Sequence, residues 1–129
     1  MKYICLGYYD EKLWEQLTVS ERDAFIDDCF TYDDVLREHG HFAGGEALQG
    51  AASAATLRWE NGRVTVTDGP YAETKEQLGG ILILEATDLN HAIQLMSKHP
   101  GVRNGPFEIR PAADMSGVIA ESEARRSGK

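Results

Sequence analysis

The chain reads as short apolar runs alternating with longer amphipathic stretches, and the period of each names its element. Residues 3–8 have the aromatic and branched content of a strand, ended by the polar Asp10-Glu11-Lys12. Leu13, Trp14 and Leu17 predict one helical turn in the connection. Ser20 with Asp23 then opens a longer helix in the manner of a capping box, a carboxylate suiting the positive helix end. Phe25, Ile26, Cys29, Phe30, Val35 and Leu36 recur at spacings near three and four. Glu21, Asp27, Asp28, Asp34 and Arg37 fall largely elsewhere, and Gly40 is the stop.

Residues 54–67 carry the sharpest local signal. Asn61-Gly62 is the two-residue turn whose central positions both need positive φ, and it sets a register in which Glu60 faces Arg63, Trp59 faces Val64, Arg58 faces Thr65, Leu57 faces Val66 and Thr56 faces Thr67. The apolar pairs share one face and the Thr and Arg pairs the other, as in a half-buried antiparallel pair. Asp68-Gly69-Pro70 turns the chain into a polar stretch, residues 71–77, expected as a solvent-reaching loop or a single helical turn. Residues 81–86 are apolar without alternation, the mark of a strand buried on both faces. Asp88 caps a second helix carrying Ala92, Ile93, Leu95 and Met96, which His99-Pro100-Gly101 ends. Residues 107–110 alternate as a last short strand before Pro111.

Strand, helix, strand, strand, helix, strand, with a short extra strand at the end, is the split βαβ plan. The expected fold class is therefore α+β, a ferredoxin-like βαββαβ sandwich with an antiparallel sheet and two helices on one face. Those two helices leave the other face open, yet residues 3–6 and 81–84 offer apolar side chains to both faces. The expected cover is a second copy, in a two-fold homodimer packed sheet to sheet; the alternative is the C-terminal tail folded back as a third helix.

A length of 129 residues, 42% of them hydrophobic and 26% charged, fits one soluble domain, placed at residues 1–113 with a polar tail over residues 114–129. The tail is expected to fray unless Met115, Val118 and Ile119 pack on a neighbour. Thirteen Lys and Arg against twenty-one Asp and Glu give a net charge of −8 without a basic patch, which argues against nucleic acid as a partner. The N-terminal apolar run is too short for a signal core or a membrane span, so no membrane partner and a cytoplasmic location are expected. Cys5 and Cys29 lie in apolar stretches without metal-ligand spacing, as buried free thiols do in a reducing compartment.

Thr67-Asp68-Gly69-Pro70-Tyr71-Ala72-Glu73-Thr74-Lys75-Glu76-Gln77-Leu78-Gly79-Gly80 resembles the long signature of the YCII-related family, in particular its DGPF-motif group, with Tyr71 where the group's name has Phe. Gly44-Gly45-Glu46-Ala47-Leu48, the opening Met1-Lys2-Tyr3, Ala92-Ile93 and Glu108-Ile109-Arg110-Pro111 extend the resemblance over roughly residues 1–111. It implies a dimeric α/β-barrel arrangement, bacterial origin and genes beside those for extracytoplasmic-function sigma factors, but no established reaction. In some shorter members a His on the first helix and an Asp just before a Pro after the second helix meet in a cleft. Here no His lies between Ser20 and Glu38, the second helix ends in His99-Pro100, and Cys29 falls near the missing His.

Two functions are compatible with these residues. The first is a small cofactor-independent enzyme acting on a small polar molecule by proton transfer, with His41 and Asp68 as base and orienter. Glu46, Tyr71, Glu73, Lys75, His99 and Arg103 would bind the ligand. Each has a plain structural alternative: Asp68 as a turn residue, His41 as a satisfied surface or core imidazole, His99 as a cap on the second helix, Arg103 as a partner for the carboxylate excess. No metal is expected, since His41, Glu46, Asp68 and His99 lack ligand spacing. The second is a non-catalytic dimeric module that binds a metabolite or a protein in sigma-factor or stress-response regulation.

Overall fold

The computed structural model describes residues 1–128. Their strands are β1 (Lys2–Tyr9), β2 (Phe42–Ala47), β3 (Ala55–Glu60), β4 (Arg63–Asp68), β5 (Gln77–Glu85) and β6 (Phe107–Pro111). Their helices are α1 (Glu11–Gln16), α2 (Val19–Glu38), α3 (Leu89–Ser97) and α4 (Ser116–Gly128), with short 3₁₀ turns at Ala51–Ser53 and Pro100–Arg103. Strands β2, β5, β1 and β6 lie side by side in that order, all antiparallel, which is the ferredoxin-like α+β sandwich.

The strand that completes this sheet is not half of the hairpin but β2, in the segment Phe42-Ala43-Gly44-Gly45-Glu46-Ala47. Its two glycines hide it from propensity, and contact requires one of them: a Cβ on Gly45 would stand 2.9 Å from the Ile81 carbonyl oxygen. Strands β3 and β4 form a separate two-stranded ribbon with the expected register, Glu60 opposite Arg63 through Thr56 opposite Thr67. Asn61 and Gly62 take φ of 52° and 76°, as that turn demands. The ribbon's orientation reverses the expected burial. Thr56 and Thr65 are half-buried, whereas Leu57, Trp59, Val64 and Val66 are between 53% and 72% exposed.

Asp10 caps α1 by accepting from the Lys12 and Leu13 N–H groups. The capping box of α2 sits two residues before the expected one. Thr18 Oγ1 accepts from Glu21 N–H and the Glu21 carboxylate accepts from Thr18 N–H, so Ser20 falls inside the first turn and Asp23 just beyond it. Asp88 caps α3 through His91 N–H, as expected.

Tyr3 and Cys5 of β1, Leu82 and Leu84 of β5, Leu36 of α2, and Ala92 and Met96 of α3 form the core with Ala86. The opposite face of β1 and β5 carries Ile4, Leu6, Ile81 and Ile83, each half-buried, so within one copy of the chain β5 is fully buried on one face. The C-terminal segment is helical, not frayed, but every residue of α4 except Ser122 is exposed, so it covers no apolar surface; Lys129 lies outside the described residues. No described helix is long and apolar enough to cross a membrane.

Candidate functional site

The last turn of α2 packs into the core through Leu36, while Phe25, Cys29 and Asp33 stand over a stretch of sheet with few side chains. Gly7 of β1, Gly79 and Gly80 of β5 and Ala47 of β2 floor this region, which leaves a cavity of about 390 Å³ between sheet and helix. Aromatic rings occupy the space that the missing Cβ atoms release. A Cβ on Gly79 would meet the Tyr9 ring at 2.5 Å, and one on Gly7 would meet the Phe107 ring at 2.8 Å. Trp14 and Phe25, packed edge to face at 5.7 Å, line another side.

One hydrogen-bonded imidazole and carboxylate enter this apolar space. His99 Nε2 and Asp33 Oδ1 are 2.9 Å apart, with side chains only 7% and 17% exposed. Gly101 N–H donates to His99 Nδ1 at 2.9 Å, so Nδ1 carries the lone pair. The ring proton therefore sits on Nε2 and is donated to the carboxylate. Tyr32 and Phe107 hold the imidazole edge to face at 5.6 and 5.7 Å. A Cβ on Gly101 would lie 3.0 Å from Nδ1, so glycine is what lets this N–H approach the ring.

Both nitrogens of His99 are thus engaged, while Asp33 Oδ2 makes no hydrogen bond among the described residues and is not sealed from solvent. The indole N–H of Trp14, the Asn104 amide and the Tyr9 hydroxyl, all on lining residues, also lack hydrogen-bond partners there. Burial, with help from Glu11 and Glu15, raises the Tyr9 pKa and keeps its hydroxyl a donor. Burial also holds the Cys29 thiol up at about 11, reinforced by the Asp33 and Asp28 carboxylates and opposed by Arg103. This lining thiol is protonated at neutral pH and is a poor nucleophile. An apolar cavity with one open carboxylate oxygen can accept a proton from a ligand.

The YCII-related domain model matches residues 1–116. The chain belongs to the YCII-related domain family. An uncharacterised protein of Rhizobium meliloti (strain 1021) is 32% identical over 117 residues, covering 88% of this chain and 93% of that protein. Among solved structures, the chain resembles the 5-chloro-2-hydroxyhydroquinone dehydrochlorinase of Burkholderia phenoliruptrix AC1100, solved in complex with 2,5-dihydroxybenzoquinone. The two share a TM-score of 0.52 and 13% identity, over 88% of this chain and 94% of that one, a likeness of fold.

In this YCII-related chain one carboxylate and one imidazole meet in the cleft. The carboxylate, Asp33, is on the first long helix, and the imidazole, His99, precedes Pro100. Asp33 was legible in principle. It stands four residues after Cys29 and eight after Phe25, on the stripe that the helical period assigns to the interior, and a carboxylate there needs a partner. His99 caps the following 3₁₀ turn and pairs with Asp33 rather than capping the end of α3.

The other residues singled out in the sequence lie outside this cavity. His41 Nδ1 bonds the Glu85 carbonyl at 3.0 Å and its ring packs on His91 at 5.1 Å, just before β2. Asp68 ends β4 opposite Ala55, and exposed Glu46 pairs across β2 with Ile81. His41 and Asp68 line none of the cavities described here, so the fold does not bring them together as a base and its orienter. Glu73 and Lys75 line a polar cleft with Asp10, Glu11 and Lys12. Tyr71 is 80% exposed, with the Arg58 guanidinium 5.7 Å from its ring. Arg103 pairs with Asp28 at 3.7 Å, adjacent in sequence to lining residues Asn104 and Cys29.

Proposed function

We propose that this protein is a small cofactor-independent enzyme that moves a proton on a neutral, flat, ring-bearing molecule. Asp33 Oδ2 is the proton acceptor, and His99 is a positioning residue that holds Oδ1. The observation that carries the reading is a tautomer-fixed imidazole and carboxylate, nearly buried in an otherwise aromatic cavity. No Lys or Arg is among the lining residues, so an anionic substrate would meet a carboxylate without a balancing cation. The substrate is thus less polar than the sequence suggested. Its C–H or O–H proton passes to Asp33, the electron pair moves onto the substrate oxygen, and Trp14, Asn104 and Tyr9 supply donors to that oxygen. The fold neighbour's hydroxylated quinone is a ligand of this general shape.

The test is deuterium uptake by α-tetralone, a neutral ring ketone with acidic C–H bonds, incubated with the protein in heavy water. Catalysed exchange should fall by about 10²-fold or more in Asp33→Asn. Exchange at the wild-type rate in a folded Asp33→Asn protein refutes the assignment.

The competing reading, a non-catalytic dimeric module, draws on the exposed ribbon face of Leu57, Trp59, Val64 and Val66. We ascribe that face, together with the open face around Ile4 and Ile83, to a second copy of the chain, which leaves the cavity its enzymatic role.

A further inference from the structure

The signature segment, residues 67–80, contributes only Gly79 and Gly80 to the acid–base cavity, which leaves the rest of it without a role. Residues 70–78 instead form one wall of a second hollow of about 670 Å³, whose other wall is the connection between β2 and β3, residues 48–54. Tyr8 and Leu48 line both hollows, so the two adjoin across these side chains.

The outer walls are tied down. Glu11 accepts from Ala51 N–H at 2.7 Å, Ala54 O accepts from Gly69 N–H at 2.7 Å, and Thr56 Oγ1 donates to Gly69 O at 2.9 Å. The Gln77 amide donates to the carbonyls of Ala72 and Thr74 at 3.1 and 3.0 Å. Leu48 N–H continues the ladder to Gly79 O at 2.9 Å. Leu48, Ala51, Ala54, Pro70 and Leu78 give the hollow apolar patches, and its one ionisable carboxylate, Glu76, has no cation among the lining residues.

We infer that this outer hollow is a second subsite of the same active site and that the substrate is a neutral ring bearing an uncharged, apolar extension. The inference rests on the proton-transfer reading of the inner cavity, where the ring is held against Asp33. The extension passes Tyr8 and Leu48 and lies between the two tied segments. The signature segment is then a specificity element and not a catalytic one.

The probes are phenol and its para-alkyl derivatives from methyl to pentyl, titrated calorimetrically into the full-length protein. Each buried methylene should raise affinity by up to about fourfold, with at least a tenfold gain across the series. Ala72 is exposed and lines only the outer hollow, so Ala72→Trp should fill that hollow without endangering the fold. In Ala72→Trp the pentyl derivative should lose most of its gain over phenol. An affinity independent of chain length in wild type, or the full gain kept in Ala72→Trp, overturns the proposal. Phenol affinity in Asp33→Asn is read separately, so dependence on the ring's hydroxyl and dependence on the chain fail independently.

Discussion

Replacing His99 by alanine removes four interactions at once, and their separate sizes make the outcome quantitative. The hydrogen bond from Nε2 to the Asp33 carboxylate, at 2.9 Å and largely out of water, is of the charged class that contributes about 1.5–3 kcal/mol. Loss of the acceptor for Gly101 N–H resembles loss of an N-cap, about 1 kcal/mol. The edge-to-face contacts with Tyr32 and Phe107 contribute about 0.5–1.5 kcal/mol each beyond area. Because the freed carboxylate gains some water, the terms overlap, and a net cost of about 3–5 kcal/mol is expected. His99→Asn separates them: its side-chain oxygen still reaches Gly101 N–H, while the bond to Asp33 is lost, so it should be less destabilised by about 1 kcal/mol. Urea unfolding of the three proteins at neutral pH is the assay. Equal midpoints for the two variants, or a cost below about 1 kcal/mol for alanine, would show that the pair neither orders this end of α2 nor fixes the imidazole.

Three more outcomes follow from the same geometry. Gly79→Ala puts a Cβ 2.5 Å from two Tyr9 ring carbons, so the ring should swing into the cavity, costing about 1–3 kcal/mol in urea unfolding and weakening phenol binding in calorimetry. Burial, then Asp33 and Asp28, raise the Cys29 thiol from 9.0 to about 11, so the native state keeps this proton longer than the unfolded chain. Its contribution is intact below pH 9.0 and is lost as pH climbs toward 11; Cys29→Ala should therefore lose less stability than wild type on going from about pH 8 to about pH 10. Trp59→Arg changes a side chain 72% exposed within one subunit and should convert a two-copy species into a single-copy one in sedimentation at micromolar concentration; a single-copy wild type would remove the proposed assembly.

The parts legible from sequence were those in which cause and effect lie within a few residues. The Asn61-Gly62 turn fixed every pair of its ribbon, and Asp88 capped α3. The sequence also carried a weaker sign of the site, the carboxylate at position 33 on an otherwise apolar stripe, but the neighbouring run of surface acids, Asp27, Asp28 and Asp34, masks it. Position 99 was visible as a His before Pro, yet its partner lies 66 residues away, and nothing local selects Asp33 over the other acids of α2.

The sequence by itself determined the elements other than β2 and α4, the ribbon register and the ferredoxin-like plan, because helix period, turn φ requirements and caps are short-range constraints. Tertiary structure decided which strand completes the sheet, which way the ribbon faces, and where the cavity opens. Gly44-Gly45 joins β5 because backbone can approach closely there, a property of two strands and not of one. The site likewise exists because glycines on β1 and β5 withhold side chains beneath Cys29 and Asp33 of α2, and that coincidence of absent and present atoms arises only when distant segments are packed together.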